Sequence, residues 1–144
     1  DDLLRRITKD MRPGYIQLHG DETPERVAEI SAKFDARLIK ALPVSEPKDL
    51  AVMNDYDVDI ILLDAKPPKG EARGGHGVAF DWGMLKDADL PKMWALAGGI
   101  TPENVREAIN AINPPLLDVS SGVEASKGVK DHDKIRALVE HVTW

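Results

Sequence analysis

Short apolar runs alternate with stretches of helical period along this chain. Tyr15-Ile16-Gln17-Leu18 is a strand candidate closed by His19-Gly20, and Asp21-Glu22-Thr23-Pro24-Glu25 follows as a helix start. Thr23 fits the N-cap there, and Pro24 fits the first helical position, where a missing N–H is no loss. Val27, Ala28, Ile30, Ala32 and Phe34 supply that helix's apolar face. In the second cycle Arg37 to Leu42 reads as a strand ended by Pro43, and Glu46 to Tyr56 as a helix. The strongest buried-strand signal, Ile60-Ile61-Leu62-Leu63, ends at Asp64. A polar loop rich in Pro, Lys and Gly follows from Lys66 to Val78, and a short helix begins near Phe80-Asp81-Trp82. The fourth strand is Met93 to Ala97, closed by Gly98-Gly99. Thr101-Pro102-Glu103 then repeats the cap-plus-proline signature and opens a helix through Ile112. The fifth strand runs from Leu116 to Val119 and ends in Ser120-Ser121-Gly122, and a last helix runs from about Asp131 to Val142.

Strand–helix cycles in strict alternation predict an α/β fold with a parallel sheet, and near-continuous apolar strands predict that both sheet faces are covered. Periodicity leaves an open sheet and a barrel both standing; the polar and glycine-rich strand ends favour the barrel. At 144 residues the chain is shorter than the about 200–250 of a complete (β/α)8 barrel. Its opening, Asp1-Asp2-Leu3-Leu4-Arg5-Arg6, has neither a Met start nor a signal-peptide pattern and reads as the middle of a longer protein.

Apolar residues at 42% and charged residues at 31% are an ordinary globular balance, and no apolar run approaches the ~18 residues of a membrane span. The net charge of −6 argues against a nucleic-acid surface. A small anion stays open as a ligand, because helix starts bind phosphate through backbone N–H groups whatever the global charge. The absence of cysteine excludes disulfides, thiolate metal sites and cysteine chemistry within the chain. A cytoplasmic location is the expectation. The four histidines, His19, His76, His132 and His141, show no metal-ligand spacing, so no metal site is expected.

In parallel α/β architectures functional residues gather beyond the C-terminal strand ends. Asp64 sits at the mouth of an apolar core, where partial desolvation would favour a proton-donating carboxyl. Gly98-Gly99 before a helix start forms a plausible phosphate cradle, with Ser120-Ser121-Gly122 on the next strand adding hydroxyl and N–H donors. Asp118 is placed to point into a barrel and hold substrate hydroxyls. At each position the competing reading is a plain turn, a cap or a satisfied structural carboxylate. Gly74-Gly75-His76-Gly77 lacks the nucleotide-binding spacing and reads as a mobile active-site loop. Trp82 and Trp94 read as core.

Four segments together resemble the phosphoribosylanthranilate isomerases of tryptophan biosynthesis. They are Ile16-Gln17-Leu18-His19-Gly20-Asp21-Glu22; Leu62-Leu63-Asp64 with Gly74-Gly75-His76-Gly77 and Phe80-Asp81-Trp82; Leu96-Ala97-Gly98-Gly99-Ile100-Thr101-Pro102-Glu103-Asn104-Val105; and Asp118-Val119-Ser120-Ser121-Gly122-Val123-Glu124 with Gly128-Val129-Lys130-Asp131. The resemblance implies a (β/α)8 TIM barrel, of which residues 1–144 would form one partial domain holding strands four to eight, about five β/α units. It implies an Amadori rearrangement, without cofactor, of N-(5-phosphoribosyl)anthranilate to 1-(2-carboxyphenylamino)-1-deoxyribulose 5-phosphate. Asp64 would be the general acid that protonates the ribose ring oxygen. Gly98, Gly99, Ser120 and Ser121 would hold the phosphate, and Gln17, His19 and Asp118 would line the substrate pocket.

The family's general base, a cysteine ending its first strand, and an arginine after its second strand have no counterpart here. His76 stands where a small hydroxyl residue is usual, and Lys127 where a proline is. The expectation is therefore a chain inactive and poorly stable by itself, with two sheet edges and an apolar interior exposed. Its partners would be the phosphorylated small-molecule substrate and the missing N-terminal segment or another chain. The alternative is a non-catalytic half-barrel that binds a phosphorylated ligand or a partner chain; another phosphate-binding isomerase or indole-glycerol-phosphate synthase is a more distant one.

Overall fold

The computed structural model describes residues 1–65 and 82–142. After a first helix, α1 (Asp2–Asp10), strands β1 (Tyr15–Leu18), β2 (Arg37–Val44), β3 (Ile60–Ala65), β4 (Trp94–Ala97) and β5 (Leu116–Leu117) form one five-stranded sheet. Every pairing is parallel, and the spatial order is the chain order. An open doubly wound sheet reverses its order at a switch point, whereas this sheet always steps to the next neighbour. The connecting elements are α2 (Pro24–Lys33), a 3-10 helix (Pro47–Asp55), a 3-10 turn (Trp82–Leu85) and α3 (Val105–Ile112). A 3-10 turn (Ser121–Val123), an antiparallel hairpin of β6 (Glu124–Ser126) and β7 (Val129–Lys130), and α4 (His132–Val142) end the described chain.

Several element ends differ from expectation for local reasons. Thr23 caps α2 as expected, its hydroxyl accepting from the Arg26 N–H at 3.3 Å. On that helix Val27 and Ile30 are buried with Phe34 just beyond it, while Ala28 and Ala32 face solvent. Pro43 does not end β2. Pairing with β1 stops at Leu18 opposite Lys40, so Pro43 lies where one side of β2 has a free edge and no N–H is needed. Asp64 lies within β3 rather than after it. Between β2 and β3 the chain forms a 3-10 helix, whose start is tied by the Asp49 carboxylate accepting from the N–H groups of Ser45 (2.8 Å) and Glu46 (3.1 Å). β5 is shorter than expected, and α4 begins at His132, with Asp131 accepting from the N–H groups of Asp133 and Lys134. Helix α1 and the β6–β7 hairpin had no counterpart in the sequence reading. The expected loop from Lys66 to Val78 and the expected helix start at Phe80-Asp81 lie outside the described residues.

Register assigns the two faces of the sheet. Leu18, Lys40, Ile61 and Trp94 align across four strands and share the helix-covered face. There Leu42, Val44, Leu63 and Leu96 pack with Trp82, Leu85, Val105, Ala108 and Ile109 in the main core, and Trp82 and Trp94 are core side chains as expected. Each such buried aliphatic contributes about 1.5–3 kcal/mol relative to exposure. Gln17, Ile39 and Ile60 align on the opposite face, as do Ala41, Leu62 and Ala95. This second face is not the exposed apolar surface expected. Ala41, Ile60, Leu62, Ala95 and Ala97 cover one another and are buried, and the large apolar side chains exposed on this face are Tyr15 and Leu116 on the outer strands.

Candidate active site

The alternation of β3 sends Leu63 and Ala65 into the helix layer and leaves Asp64 on the other face, beyond Leu62 at the C-terminal end of the strand. Its side chain is 18% exposed, and its Oδ2 lies 3.6 Å from His19 Nε2. Gln17, on the same face of β1, places its Nε2 3.2 Å from His19 Nδ1. With the Gln17 amide donating to Nδ1, the ring proton belongs on Nε2, facing the Asp64 carboxylate. Three of the expected residues thus form one cluster.

The second group is built by glycine. Gly98 and Gly99 have φ of +82° and +67°, the left-handed region that other residues rarely adopt. A Cβ on Gly98 would stand 2.1 Å from the Ala65 carbonyl oxygen, so the exit of β4 lies directly against the exit of β3. A Cβ on Gly122 would stand 1.8 Å from the Ile100 carbonyl oxygen, which fixes the Ser120–Gly122 segment against the loop after β4. Gly98, Gly99, Ser120 and Ser121 therefore sit on two touching loops. Because Asp64 pairs in register with Ala97, immediately before Gly98, these loops share a rim with the Asp64 cluster.

Helix α3 does not begin at Thr101-Pro102 as expected. The Asn104 side chain accepts from the Thr101 N–H (2.8 Å) and donates to the Gly99 carbonyl (2.8 Å), holding a turn so that the helix opens at Val105. At the start of that turn His141 Nδ1 lies 2.6 Å from the Pro102 carbonyl oxygen; a carbonyl only accepts, so Nδ1 carries the proton. Ser120 is tied down by Lys130, whose Nζ donates to its carbonyl (2.9 Å) and hydroxyl (3.3 Å) and to Glu124 Oε1 (2.9 Å). The hydrogen bond from Lys130, joined by one from the Gly128 N–H, holds the Glu124 carboxyl below its ordinary range. Asp118 occupies the position that continues the register opposite Ala97, with its N–H on the Leu96 carbonyl (2.9 Å), but its side chain stands in solvent rather than against the cluster.

Two clefts, of about 610 and 730 Å³, lie at the opposite end of the sheet, where the strands begin, and none of the candidate residues lines either. The convergence of polar groups is on the C-terminal rim, where the chemistry of parallel sheets resides. Among the described residues no group of three or more His, Cys, Asp or Glu side chains is placed to hold a metal, and no helix is long and apolar enough to cross a membrane.

A sequence model described as N-(5'phosphoribosyl)anthranilate (PRA) isomerase matches residues 1–141. The chain belongs to this isomerase family. The N-(5'-phosphoribosyl)anthranilate isomerase of Paracoccus denitrificans is 51% identical over 146 residues, covering 99% of this chain and 66% of the relative. That of Hyphomonas neptunium is 50% identical over 126 residues, covering 86% of this chain and 60% of the relative. The crystal structure of phosphoribosyl anthranilate isomerase from Thermotoga maritima aligns with a TM-score of 0.83 at 37% identity, over 97% of this chain and 66% of that one. A phosphoribosyl anthranilate isomerase in complex with reduced 1-(o-carboxyphenylamino)-1-deoxyribulose 5-phosphate aligns at 0.76 and 32%, over 97% and 64%. The chain thus spans about two thirds of the length of these relatives.

The sequence reading gave no role to Lys40, Glu22 or Lys130. For Lys40 a signal existed. A lysine inside the apolar run Leu38 to Leu42 demands a buried partner, and such a partner is itself a structural feature.

Proposed function

We propose that this protein performs the reaction of its family, the Amadori rearrangement of N-(5-phosphoribosyl)anthranilate to 1-(2-carboxyphenylamino)-1-deoxyribulose 5-phosphate, in the cytoplasm. In this reading β1 to β5 are strands four to eight of a (β/α)8 barrel, and the face carrying Asp64 is the barrel interior. The observation that carries the reading is the rim, where a half-buried carboxyl group with a histidine at 3.6 Å stands beside two glycine-built loops.

Asp64 gives its proton to the ribose ring oxygen as the C1–O bond breaks. The anthranilate nitrogen lone pair forms the C1=N bond, leaving a protonated imine. A general base, which is none of the residues named here, takes the C2 proton. The C2–H electron pair forms the C1=C2 bond as the C1=N pair returns to nitrogen, and the resulting enaminol tautomerises to the 2-ketose. Electrons stay within the substrate, so no redox cofactor is required. Gly98, Gly99, Ser120 and Ser121 hold the phosphate, supplying N–H and hydroxyl donors at a fixed distance from Asp64. Gln17 and His19 border the acid, and Asp118 is available to substrate hydroxyls from the exposed edge of the site. The cysteine that serves as base in the family is not among these residues.

The test is turnover by the full gene product, followed as conversion of substrate to product by chromatography. Asp64→Asn keeps the shape and removes the proton, and should lower kcat by about 10²–10⁴. Full activity in that variant would refute the assignment. Phosphate binding without turnover in the intact gene product would favour the non-catalytic alternative.

A further inference from the structure

Lys40 stands on the helix-covered face of β2, opposite Leu18 in register and 2% exposed. A charge so deeply buried requires compensation, and it has three partners. Its Nζ donates to the Gly20 carbonyl at 2.6 Å and to Glu22 Oε2 at 2.8 Å, and lies 5.8 Å from the centroid of the Tyr56 ring. The same Glu22 oxygen accepts from the Gly20 N–H at 3.1 Å, and the Glu22 carbonyl accepts from the Tyr56 hydroxyl at 3.1 Å. Both backbone polar groups of Gly20, together with the carboxylate and carbonyl of Glu22, are thereby fixed. A Cβ on Gly20 would meet Glu22 Oε1 at 2.9 Å, so the turn is closed tightly around the carboxylate.

The residue between Leu18, buried beside Lys40, and Gly20, held by Lys40, is His19. Its backbone is therefore held on both sides, and its ring lies 3.6 Å from Asp64. We propose that Lys40 is a positioning residue of the active site, which through Glu22 and Gly20 sets the orientation of His19 against Asp64. This rests on the functional reading given above for Asp64. A purely structural lysine would tie β2 to any nearby element. This one ties it to the single loop that carries His19.

The test uses the full gene product with Lys40→Met, an unbranched apolar replacement of similar length, alone and combined with His19→Ala. Lys40→Met should lower kcat/KM by about tenfold or more where His19 is present, as small misplacements of site groups do. It should have an effect of less than about twofold in the His19→Ala background, because the lysine acts through that ring. Glu22→Gln leaves Lys40 in place and should show a smaller loss with the same dependence on His19, which keeps the test open if Lys40→Met folds poorly. Independently of turnover, nitrogen NMR of the His19 ring should show one Nε2–H tautomer in the unsubstituted protein and a mixture in both variants. Equal losses with and without His19, or an unchanged ring tautomer, would overturn the proposal. If the unsubstituted protein converts no substrate, the functional reading fails while the tautomer measurement still decides the role of Lys40.

Discussion

Replacing Gly98 by alanine separates two costs that usually come together. At φ of +82° any L side chain is strained by about 1–2 kcal/mol. The added methyl would also stand 2.1 Å from the Ala65 carbonyl oxygen and 2.6 Å from its nitrogen, both backbone atoms that no rotamer change can move. Relieving that contact requires the ends of β3 and β4 to part by roughly 1 Å, a packing shift that costs about 1–3 kcal/mol. The expected loss is therefore about 2–5 kcal/mol in total. Gly99 is the internal control. Its φ is +67° but its Cβ would meet nothing within 4 Å, so Gly99→Ala should lose only about 1–2 kcal/mol. Urea unfolding followed by circular dichroism reads the difference. With a slope of about 1–3 kcal/mol/M, the extra packing cost of about 1–3 kcal/mol should put the Gly98→Ala midpoint roughly 0.3–3 M below that of Gly99→Ala. Equal midpoints, or the larger loss at Gly99, would refute the close approach of the two strand exits. Because Ala65 directly follows Asp64, the same parting of strands should also reduce turnover.

Gly122→Ala would press a methyl 1.8 Å from the Ile100 carbonyl oxygen and push the loops after β4 and β5 apart; affinity for inorganic phosphate, measured by calorimetry, should fall about tenfold or more. Burial pushes the Glu22 carboxyl up, but hydrogen bonds from Lys40 and the nearby backbone, with the Lys40 charge, outweigh it and hold the group below its ordinary value of 4.5. That stabilisation is complete above 4.5 and is lost as pH falls through the lowered value. Thermal melts against pH should therefore show the native protein and Glu22→Gln differing at neutral pH and converging in acid, and a constant gap would count against the ion pair.

What was legible in the sequence was what local chemistry decides. The strand at Ile60 to Leu63, the Thr23–Pro24 helix start and the glycines at the exit of β4 each express a preference that neighbours in space do not override. The position of Asp64 on the rim follows from the same alternation. Illegible were features settled by partners distant along the chain. Pro43 stays in β2 because β1 has already ended. Asn104, reaching back to Gly99 and Thr101, displaces the start of α3. Lys40 and Glu22 meet only once two strands are side by side, and the need of Gly122 for a missing side chain comes from Ile100 on another loop. The burial of the second sheet face belongs to the same class, since alanines that cover one another do so only across strands.

The identity of spatial order with chain order has a kinetic consequence. Tyr15 pairs with Arg37, Ile39 with Ile60 and Ala95 with Leu116, so within the described sheet each strand finds its partner one connection away. The entropy of closing a loop is met in a series of modest instalments rather than in one large step. A sheet wound this way can grow from any adjacent pair of strands toward either edge, each addition presenting the template for the next. The rim that holds Asp64 and the glycine loops is complete only once β3 has met β4 and β4 has met β5, whichever pair forms first.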